Sequence, residues 1–122
     1  VEVELSNDEV ASLDLLNQVE WWHDTDAADA IKPLLLKLCA GYLLEAKRGG
    51  EPADPVARFH LGNGARIEQL NWLGDKSKQR MEQSYGLLVN YVYDRRSVIK
   101  NHEAYVGKGR VVASSSVTSA AK

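Results

Sequence analysis

The sequence predicts an α/β protein in which amino-terminal helices lead into a strand–helix–strand unit of a mixed α+β sheet. One observation is the segment Leu34–Leu44, where nine of eleven residues are apolar, as in a helix that is covered on most sides. A second is Leu87–Tyr93, where aliphatic, β-branched and aromatic residues dominate, as in a strand. Ala65–Trp72 also reads as a strand, although its alternation of apolar and polar residues is imperfect.

The amino-terminal region predicts a lead-in and a first helix. Val1–Leu5 alternates apolar and acidic residues, which suits a short strand or an extended segment. Ser6 and Glu9 have the spacing of a capping box, so a helix should begin after Ser6. One face of this helix is expected to be apolar, formed by Val10, Leu13, Leu16 and Val19. Of the adjacent tryptophans Trp21 and Trp22, one is expected to pack inward while the other meets a second surface.

A second helical region follows. Thr25–Asp29 has the character of a helix start, because its acidic residues suit the positive end of a helix. Pro33 lacks the N–H group that a helix interior needs, so we expect a short turn first and then a main helix of about Pro33–Lys47. A basic last turn and two glycines should end this helix. Gly49–Asp54 is then a loop and the one plausible internal linker.

The carboxyl-terminal half predicts a short helix, a strand and a tail. Asp75 is placed to cap a helix that runs through Tyr85. Asp94–Asn101 reads as a charged exit from the second strand. The final residues, 113–122, have low complexity and no obvious core face, which predicts a mobile segment or a frayed helix. The chain therefore divides into a domain of residues 1–112 and this tail.

The composition fits one globular domain and excludes several classes of function. Of the 122 residues, 44% are hydrophobic and 26% are charged. A net charge of −2 provides no basic face for general binding of nucleic acid. No apolar run approaches the roughly 20 residues that span a bilayer. Cys39 lies in an apolar helical pattern, which indicates a buried, inert thiol. As the single cysteine it has no partner for an internal disulfide, which fits a reducing compartment, and the cytoplasm is the default expectation. Because the chain begins with Val1 and not methionine, we expect a fragment or a processed product.

One stretch, Asp54–Trp72, carries the candidate chemistry. It places His60 between Phe59 and Leu61, before a sharp turn at Gly62–Gly64. Histidine has an ordinary pKa near neutrality, and glycines let a ligand approach the backbone. The residues alone leave two interpretations open. The first is a core histidine whose nitrogens bond to backbone carbonyls, and the second is an acid–base group beside a glycine-rich turn.

Three segments in a fixed order carry a family resemblance: Ile31–Tyr42, Asp54–Trp72 and Gly86–Tyr93. Together they resemble the carboxyl-terminal part of malonyl-CoA decarboxylase, from about Leu13 to about Gly107. The motif Asp-Pro-Val-Ala-Arg-Phe-His-Leu-Gly-Asn-Gly-Ala matches the one that contains the family's catalytic histidine. The resemblance implies the carboxyl-terminal part of a GNAT-like acyl-CoA fold preceded by helices.

The resemblance also implies a reaction and a set of site residues. The reaction is decarboxylation of malonyl-CoA to acetyl-CoA and carbon dioxide, with His60 protonating the enolate that remains. Tyr93 is implied to line the active site, and Tyr91 shares its face because the two are two positions apart in a strand. Asn71 and Asn90 fall in matched segments and are expected to bind substrate across that face. The CoA thioester is the electron sink, so no metal and no other cofactor is expected.

The other two histidines are not expected to take part in the chemistry, and part of the site is expected to lie outside this chain. His23 and His102 lie in polar surroundings without a second ligand at metal-site spacing, so both are read as solvated loop histidines. The family also uses a serine and a glycine-rich loop that holds the CoA pyrophosphate. Neither is recognisable here, so both are expected before Val1. The expected partners are malonyl-CoA or acetyl-CoA, the missing amino-terminal segment and further copies of the enzyme, with no nucleic acid and no membrane.

Two other functions remain open at this point. One is a GNAT-type acyltransferase fragment, which would need an acceptor pocket and a base that deprotonates an ammonium group. The other is a non-enzymatic helical interaction module that uses Trp21 and Trp22 as interface anchors.

Overall fold

The structure is a computed structural model that describes residues 5–48 and 51–122. Short 3-10 turns lie at Asp14–Asn17 and Trp21–His23. The described helices are α1 (Asn7–Leu13), α2 (Thr25–Glu45), α3 (Pro55–Gly62), α4 (Lys78–Ser84), α5 (Val98–Lys108) and α6 (Ser115–Ala120). The described strands are β1 (Lys47–Arg48), β2 (Glu51–Pro52), β3 (Arg66–Asn71) and β4 (Leu88–Val92). The predicted lead-in lies outside the described residues, except for Leu5.

The first helix begins as the capping box predicts. The Ser6 hydroxyl accepts from the Glu9 N–H at 3.1 Å, and the Glu9 carboxylate accepts from the Ser6 N–H at 2.9 Å. The helix is shorter than expected, because α1 passes into a 3-10 turn after Leu13. The predicted apolar face is therefore wrong at two of its four positions, since Val10 is exposed and Val19 is 87% exposed.

The paired tryptophans are arranged as predicted. Trp21 is buried in the core, whereas Trp22 is half-buried and meets Trp21 edge to face at 5.8 Å between ring centroids. Trp21 also lies 5.9 Å from Trp72. Because Trp21 is buried against its own chain, it cannot serve as an exposed interface anchor, which removes half of that interpretation.

Helix α2 runs without a break through Pro33, so the predicted turn before Pro33 is wrong. Asp24 caps the helix, and its carboxylate accepts from the N–H groups of Asp26 and Ala27. A proline inside a helix costs about 3 kcal/mol. The helix tolerates this cost because buried residues on both sides of the proline pack into the same core: Ala27, Ala28, Ile31, Leu34 and Leu35.

The segment after α2 is a hairpin, whereas the sequence predicted continued helix and then a loop. Helix α2 ends at Glu45, and β1 pairs antiparallel with β2, Lys47 opposite Pro52. The two glycines expected to end the helix lie outside the described residues. The hairpin closes the chain back on itself, because the Ala53 N–H donates to the Ala46 carbonyl at 2.9 Å.

Strands β3 and β4, at the two positions where the sequence predicted strands, pair antiparallel. The register places Ile67 opposite Tyr91 and Leu70 opposite Val89, and it shifts between Ile67 and Gln69. This bulge lets Ile67 and Leu70, three positions apart, both face the core. It is the physical reason for the imperfect alternation of the sequence.

The sheet is completed from the carboxyl-terminal end of the chain. Ala113 forms a parallel bridge with Ile67, and the Ser114 hydroxyl donates to the Glu68 carbonyl at the bulge at 2.6 Å. Parallel and antiparallel pairing therefore both occur around β3. The predicted α+β class is confirmed by this mixture of helices and a small sheet, and the GNAT-like assignment stays a prediction.

The three carboxyl-terminal helices differ from expectation. Ser77, not Asp75, caps α4, and the Asp75 carboxylate instead accepts from the Ser77 N–H at 2.9 Å. The charged exit turns into helix α5 at Val98. The final residues form α6, and Val117 is 1% exposed within the core, so the expectation that this segment lacks a core face is wrong. The division of the chain after residue 112 stays a prediction.

Helix α2 lies between two hydrophobic clusters and contributes to both. The first cluster joins its amino-terminal half to the tryptophan region and α4, with buried members Trp21, Ala27, Ala28, Ile31, Leu34, Leu35, Met81 and Leu87. The second joins its carboxyl-terminal half to α3, β3 and α6, with buried members Ala40, Leu43, Ala57, Leu61, Ile67 and Val117. The second cluster anchors the helix that carries His60.

Candidate functional site

His60 lies on helix α3, which was not predicted from the sequence. The Asp54 carboxylate accepts from the Ala57 N–H at 2.8 Å, and Pro55 occupies the first helical position. An Asp-Pro pair at this spacing is a helix start signal that was available in the sequence. Ala57 and Leu61 are buried in the second cluster, Phe59 on the opposite side of α3 is exposed, and His60 lies on the flank between them, half-buried.

His60 meets two tyrosines of the β4 region. Its Nδ1 lies 2.7 Å from the Tyr93 hydroxyl, a contact between residues 33 positions apart. Its ring stacks on Tyr91, with centroids 4.3 Å apart and planes inclined by 20°. The predicted shared face of Tyr91 and Tyr93 is confirmed, because both contact the same imidazole. The core interpretation of His60 is wrong, since the partner of Nδ1 is a hydroxyl and not a backbone carbonyl.

The Tyr93 hydroxyl can pair with His60 Nδ1 in either protonation state of the ring. When Nδ1 carries no proton, the hydroxyl donates to it, and Nε2 carries the N–H. When the ring is an imidazolium, Nδ1–H donates to the hydroxyl oxygen, and Nε2–H is free to donate elsewhere. Among the residues that the structure describes, no hydrogen bond occupies Nε2. The geometry therefore leaves one ring nitrogen available for chemistry.

Large exposed side chains lie on α3 beside His60 and on neighbouring elements. Phe59 lies edge-on to the imidazole at 5.2 Å between centroids and is 64% exposed. Val56 and Tyr93 are also exposed, and Tyr42 is exposed at the carboxyl-terminal part of α2. Large apolar groups gathered at one place on a surface indicate a binding or docking site. We call Tyr42, Val56, Phe59 and Tyr93 the apolar rim.

A cleft of about 640 Å³ adjoins this region, and Tyr91 lines it. Its wall is mainly apolar and comes from α2, α4 and β4, with Leu35, Leu38, Cys39 and Val89 among its members. Burial, followed by the charge of Asp54, raises the pKa of the Cys39 thiol to about 11. The same two causes, burial first, hold the pKa of Tyr91 well above its ordinary value. Both groups are therefore neutral at physiological pH.

The two predicted substrate-binding asparagines meet each other but not His60. The Asn71 side chain donates to the Asn90 side chain at 3.0 Å. The register places both on the face of the β3–β4 ribbon opposite to Tyr91, because Asn90 directly precedes Tyr91 and strand side chains alternate. The expectation that they bond across the face of Tyr91 and Tyr93 is wrong in geometry, and their role with substrate stays a prediction.

The turn after α3 is held by two residues of α5, Asn101 and His102. A carbonyl oxygen can only accept a hydrogen bond, so His102 Nδ1–H donates to the Gly62 carbonyl, 2.7 Å away. The buried Asn101 side chain donates to the Gly64 carbonyl at 3.2 Å. His102 is thus a bonded residue of α5 and not a solvated loop histidine. These contacts fix the end of the helix that carries His60.

The described residues hold no recognisable metal centre and no serine partner for His60. Within residues 5–48 and 51–122, no three histidine, cysteine, aspartate or glutamate side chains could together hold a metal ion. No hydrogen bond in the same ranges joins a serine to His60. No helix in the described part of the chain has the length and apolarity that crossing a membrane requires.

Comparison with known proteins gives concordant matches. The family model of the malonyl-CoA decarboxylase C-terminal domain matches residues 1–122. The mitochondrial malonyl-CoA decarboxylase of Anser anser anser is 39% identical over 105 residues, which cover 86% of this chain and 21% of that protein. The corresponding protein of Rattus norvegicus is 38% identical over 105 residues, with the same coverage. The chain thus spans about a fifth of the length of these relatives.

Solved structures show the same similarity. The crystal structure of malonyl-CoA decarboxylase from Rhodopseudomonas palustris has a TM-score of 0.93 and 46% identity, covering 97% of this chain and 27% of that one. The structure from Agrobacterium vitis has a TM-score of 0.91 and 44% identity, covering 98% of this chain and 30% of that one.

Proposed function

Because the chain belongs to the malonyl-CoA decarboxylase family, through its C-terminal domain, we propose that it contributes half of a site that converts malonyl-CoA to acetyl-CoA and carbon dioxide. In this proposal His60 is the proton donor. The observation that carries it is the pairing of His60 Nδ1 with the Tyr93 hydroxyl at 2.7 Å, which leaves Nε2 without a partner among the described residues. A ring held at one nitrogen and open at the other suits proton transfer.

The reaction needs a proton source more than a nucleophile. The bond between the carboxylate and the α-carbon breaks, carbon dioxide leaves, and the electron pair becomes the enolate of the thioester. A proton must then reach that carbon. An imidazolium at position 60 can deliver it from Nε2 and end as the neutral ring, with Nδ1–H still bonded to Tyr93. The thioester accepts the electron pair, so the proposal needs no metal or redox cofactor.

The rest of the site is proposed to come from a further segment of the full-length enzyme. The chain covers 21% of the Anser anser anser relative, which leaves room for the serine and the pyrophosphate loop. The apolar rim beside His60 supports this, because such a surface is expected to be covered by a second segment or by substrate. We propose a homo-oligomeric enzyme when all segments are present. The cytoplasm stays the predicted compartment, and the animal relatives are named mitochondrial.

Substitution of His60 in the full-length enzyme tests the proposal. His60→Asn keeps a polar side chain but removes the titratable group, so kcat should fall by about 10²–10⁴-fold. Binding of acetyl-CoA should change little, because the lost interaction is made in the transition state. Carbon dioxide release from malonyl-CoA measures kcat, and calorimetry measures the binding of acetyl-CoA.

A second histidine provides the matched control. His23 lies in a 3-10 turn beside Trp22 at the other end of the fold, so His23→Asn should keep kcat within about twofold. If His60→Asn retains activity within about threefold of wild type while folded, His60 is structural and the assignment fails. If the wild-type enzyme transfers an acyl group to an amine and releases no carbon dioxide, the acyltransferase alternative is correct.

A further inference from the structure

The His60 ring is held from more directions than a single hydrogen bond provides. Tyr93 meets its Nδ1 edge, Phe59 approaches edge-on, and the Tyr91 ring covers one face at 4.3 Å with planes only 20° apart. The hydrogen bond alone would let the imidazole pivot about the line from Nδ1 to the hydroxyl. The outer torsion of a histidine side chain has a broad energy profile, so little in the side chain itself opposes that pivot. Stacking on a second ring opposes it.

Tyr91 is itself firmly placed. It lies on β4 directly opposite Ile67, which is fully buried, and it packs onto the second core cluster. Its ring is half-buried, and its other neighbours include Cys39 and Tyr42 of α2. The strand register and the core contact fix the point at which the Tyr91 side chain leaves β4, and its ring also lines the cleft described above. The ring face that meets His60 is therefore carried by a strand position anchored to the core.

We propose that Tyr91 is a positioning residue, whose ring sets the plane of the His60 imidazole and so aims Nε2 at the reacting carbon. This inference rests on the proposed function of His60. The phenol oxygen has no part in it, because the contact is between ring faces. Burial keeps the Tyr91 pKa above its ordinary value, so the hydroxyl stays protonated and supplies no charge to the histidine.

The size of the effect follows from how strictly proton transfer depends on geometry. A misplacement of about 1 Å at a reacting group can cost on the order of 10²-fold in rate. Rotation of the imidazole out of the stacked plane moves Nε2 on that scale while leaving the bond to Tyr93 in place. A loss of about tenfold or more in kcat is therefore expected when the ring is removed, with KM nearly unchanged.

Two substitutions at Tyr91 separate ring from hydroxyl in the full-length enzyme. Tyr91→Phe keeps the ring and should keep kcat within about threefold, whereas Tyr91→Leu removes the ring and should lower kcat about tenfold or more. Tyr91→Met, a flexible side chain, is the second ring-free variant if Tyr91→Leu fails to fold. Retained affinity for acetyl-CoA excludes a general collapse of the site. If Tyr91→Phe loses as much as the ring-free variants, or if the folded ring-free variants lose nothing, the inference is overturned.

An activity-independent measurement distinguishes this inference from the proposed function. The Hε1 proton of His60 should show an upfield ring-current shift in the NMR spectrum of wild type and Tyr91→Phe. The part of that shift due to the stacked ring should be lost in the ring-free variants, while the smaller effects of Phe59 and Tyr93 remain. If wild type releases no carbon dioxide, the proposed function fails whatever the NMR result. If wild type is active but the Hε1 shift is the same with and without the ring, the stacking is absent and the positioning role is overturned.

Discussion

Gly64→Ala is a sharp test of how the structure holds the His60 helix. Gly64 follows α3 in the turn to β3 and has a φ of +89°, a conformation that L side chains rarely adopt. A Cβ atom at this position would lie 2.3 Å from the Val98 carbonyl oxygen and 3.0 Å from the Val98 carbonyl carbon. Both are backbone atoms at the first residue of α5, so the obstacle is not a flexible side chain.

The expected cost has two parts. Placing alanine at positive φ costs about 1–2 kcal/mol. Relieving the contact requires the start of α5 to move away, which weakens the buried hydrogen bond from the Asn101 side chain to the Gly64 carbonyl. Leaving such a group poorly bonded costs about 1–3 kcal/mol. The free energy of unfolding should therefore fall by about 2–5 kcal/mol, a large part of the total stability of a small domain.

Urea unfolding of the 122-residue chain, followed by tryptophan fluorescence, measures this change. Gly41→Ala is the matched control, because Gly41 lies within α2 and an added Cβ meets no atom within 4 Å. That control should be neutral or gain up to about 1 kcal/mol from helix propensity. If Gly64→Ala lowers the free energy of unfolding by less than about 1 kcal/mol, the close approach of α5 to the turn is not as described.

Two further predictions concern buried groups. The Cys39 thiol, with a pKa of about 11, should react with iodoacetamide at pH 7.5 on the order of 10²-fold more slowly than free cysteine. Because the folded thiol holds its proton more tightly than the unfolded one, the free energy of unfolding should be steady below about pH 9 and fall as pH rises towards 11. Cys39→Ala should remove most of the decline in the free energy of unfolding between about pH 9 and pH 11. If the Cys39 thiol reacts with iodoacetamide as fast as free cysteine, it is not buried as described. Val117→Ala should cost about 2 kcal/mol by opening a cavity, whereas Val106→Ala, at an exposed position of α5, should change stability by less than about 0.5 kcal/mol. Equal effects of the two valine variants in urea unfolding would show that α6 does not pack as described.

The elements predicted correctly are those whose signal is local. The capping box of Ser6 and Glu9 satisfies backbone groups within one turn, so four residues suffice to recognise it. The strand at Leu88–Val92 is marked by its own side chains. By contrast, Pro33 predicted a break that does not occur, because the packing on both sides of it comes from distant parts of the chain.

The elements that were missed depend on contacts between remote segments. Helix α6 carries little apolar surface of its own, and its position follows from Val117 entering a core built by α2 and β3. The bonds from Asn101 and His102 to the turn after α3 join residues 37 and 40 positions apart. No spacing rule reports such pairs. The carboxyl-terminal helices were therefore beyond what periodicity could show.

In the candidate site, too, the residues could be identified from the sequence, whereas the contacts between distant segments could not. Residue types and the family resemblance selected His60 and Tyr93, and strand alternation placed Tyr91 beside Tyr93. The contact of these tyrosines with His60 joins β4 to a helix that the sequence analysis did not recognise. The geometry of Asn90 was open to correction without a structure, since it directly precedes Tyr91 and must point to the other face of a regular strand.

The placement of α2 between the two hydrophobic clusters has a consequence for how the fold opens. Because α2 contributes residues to both clusters, unfolding of α2 disrupts the packing of both. The two clusters should therefore unfold together. The amides of α2 should therefore exchange with solvent deuterium only through opening of the whole domain, whereas those of the short helices α1 and α4 can exchange through local fraying. Helix α3, which carries His60, packs on α2 through the second cluster, so its amides should also be among the slowly exchanging ones.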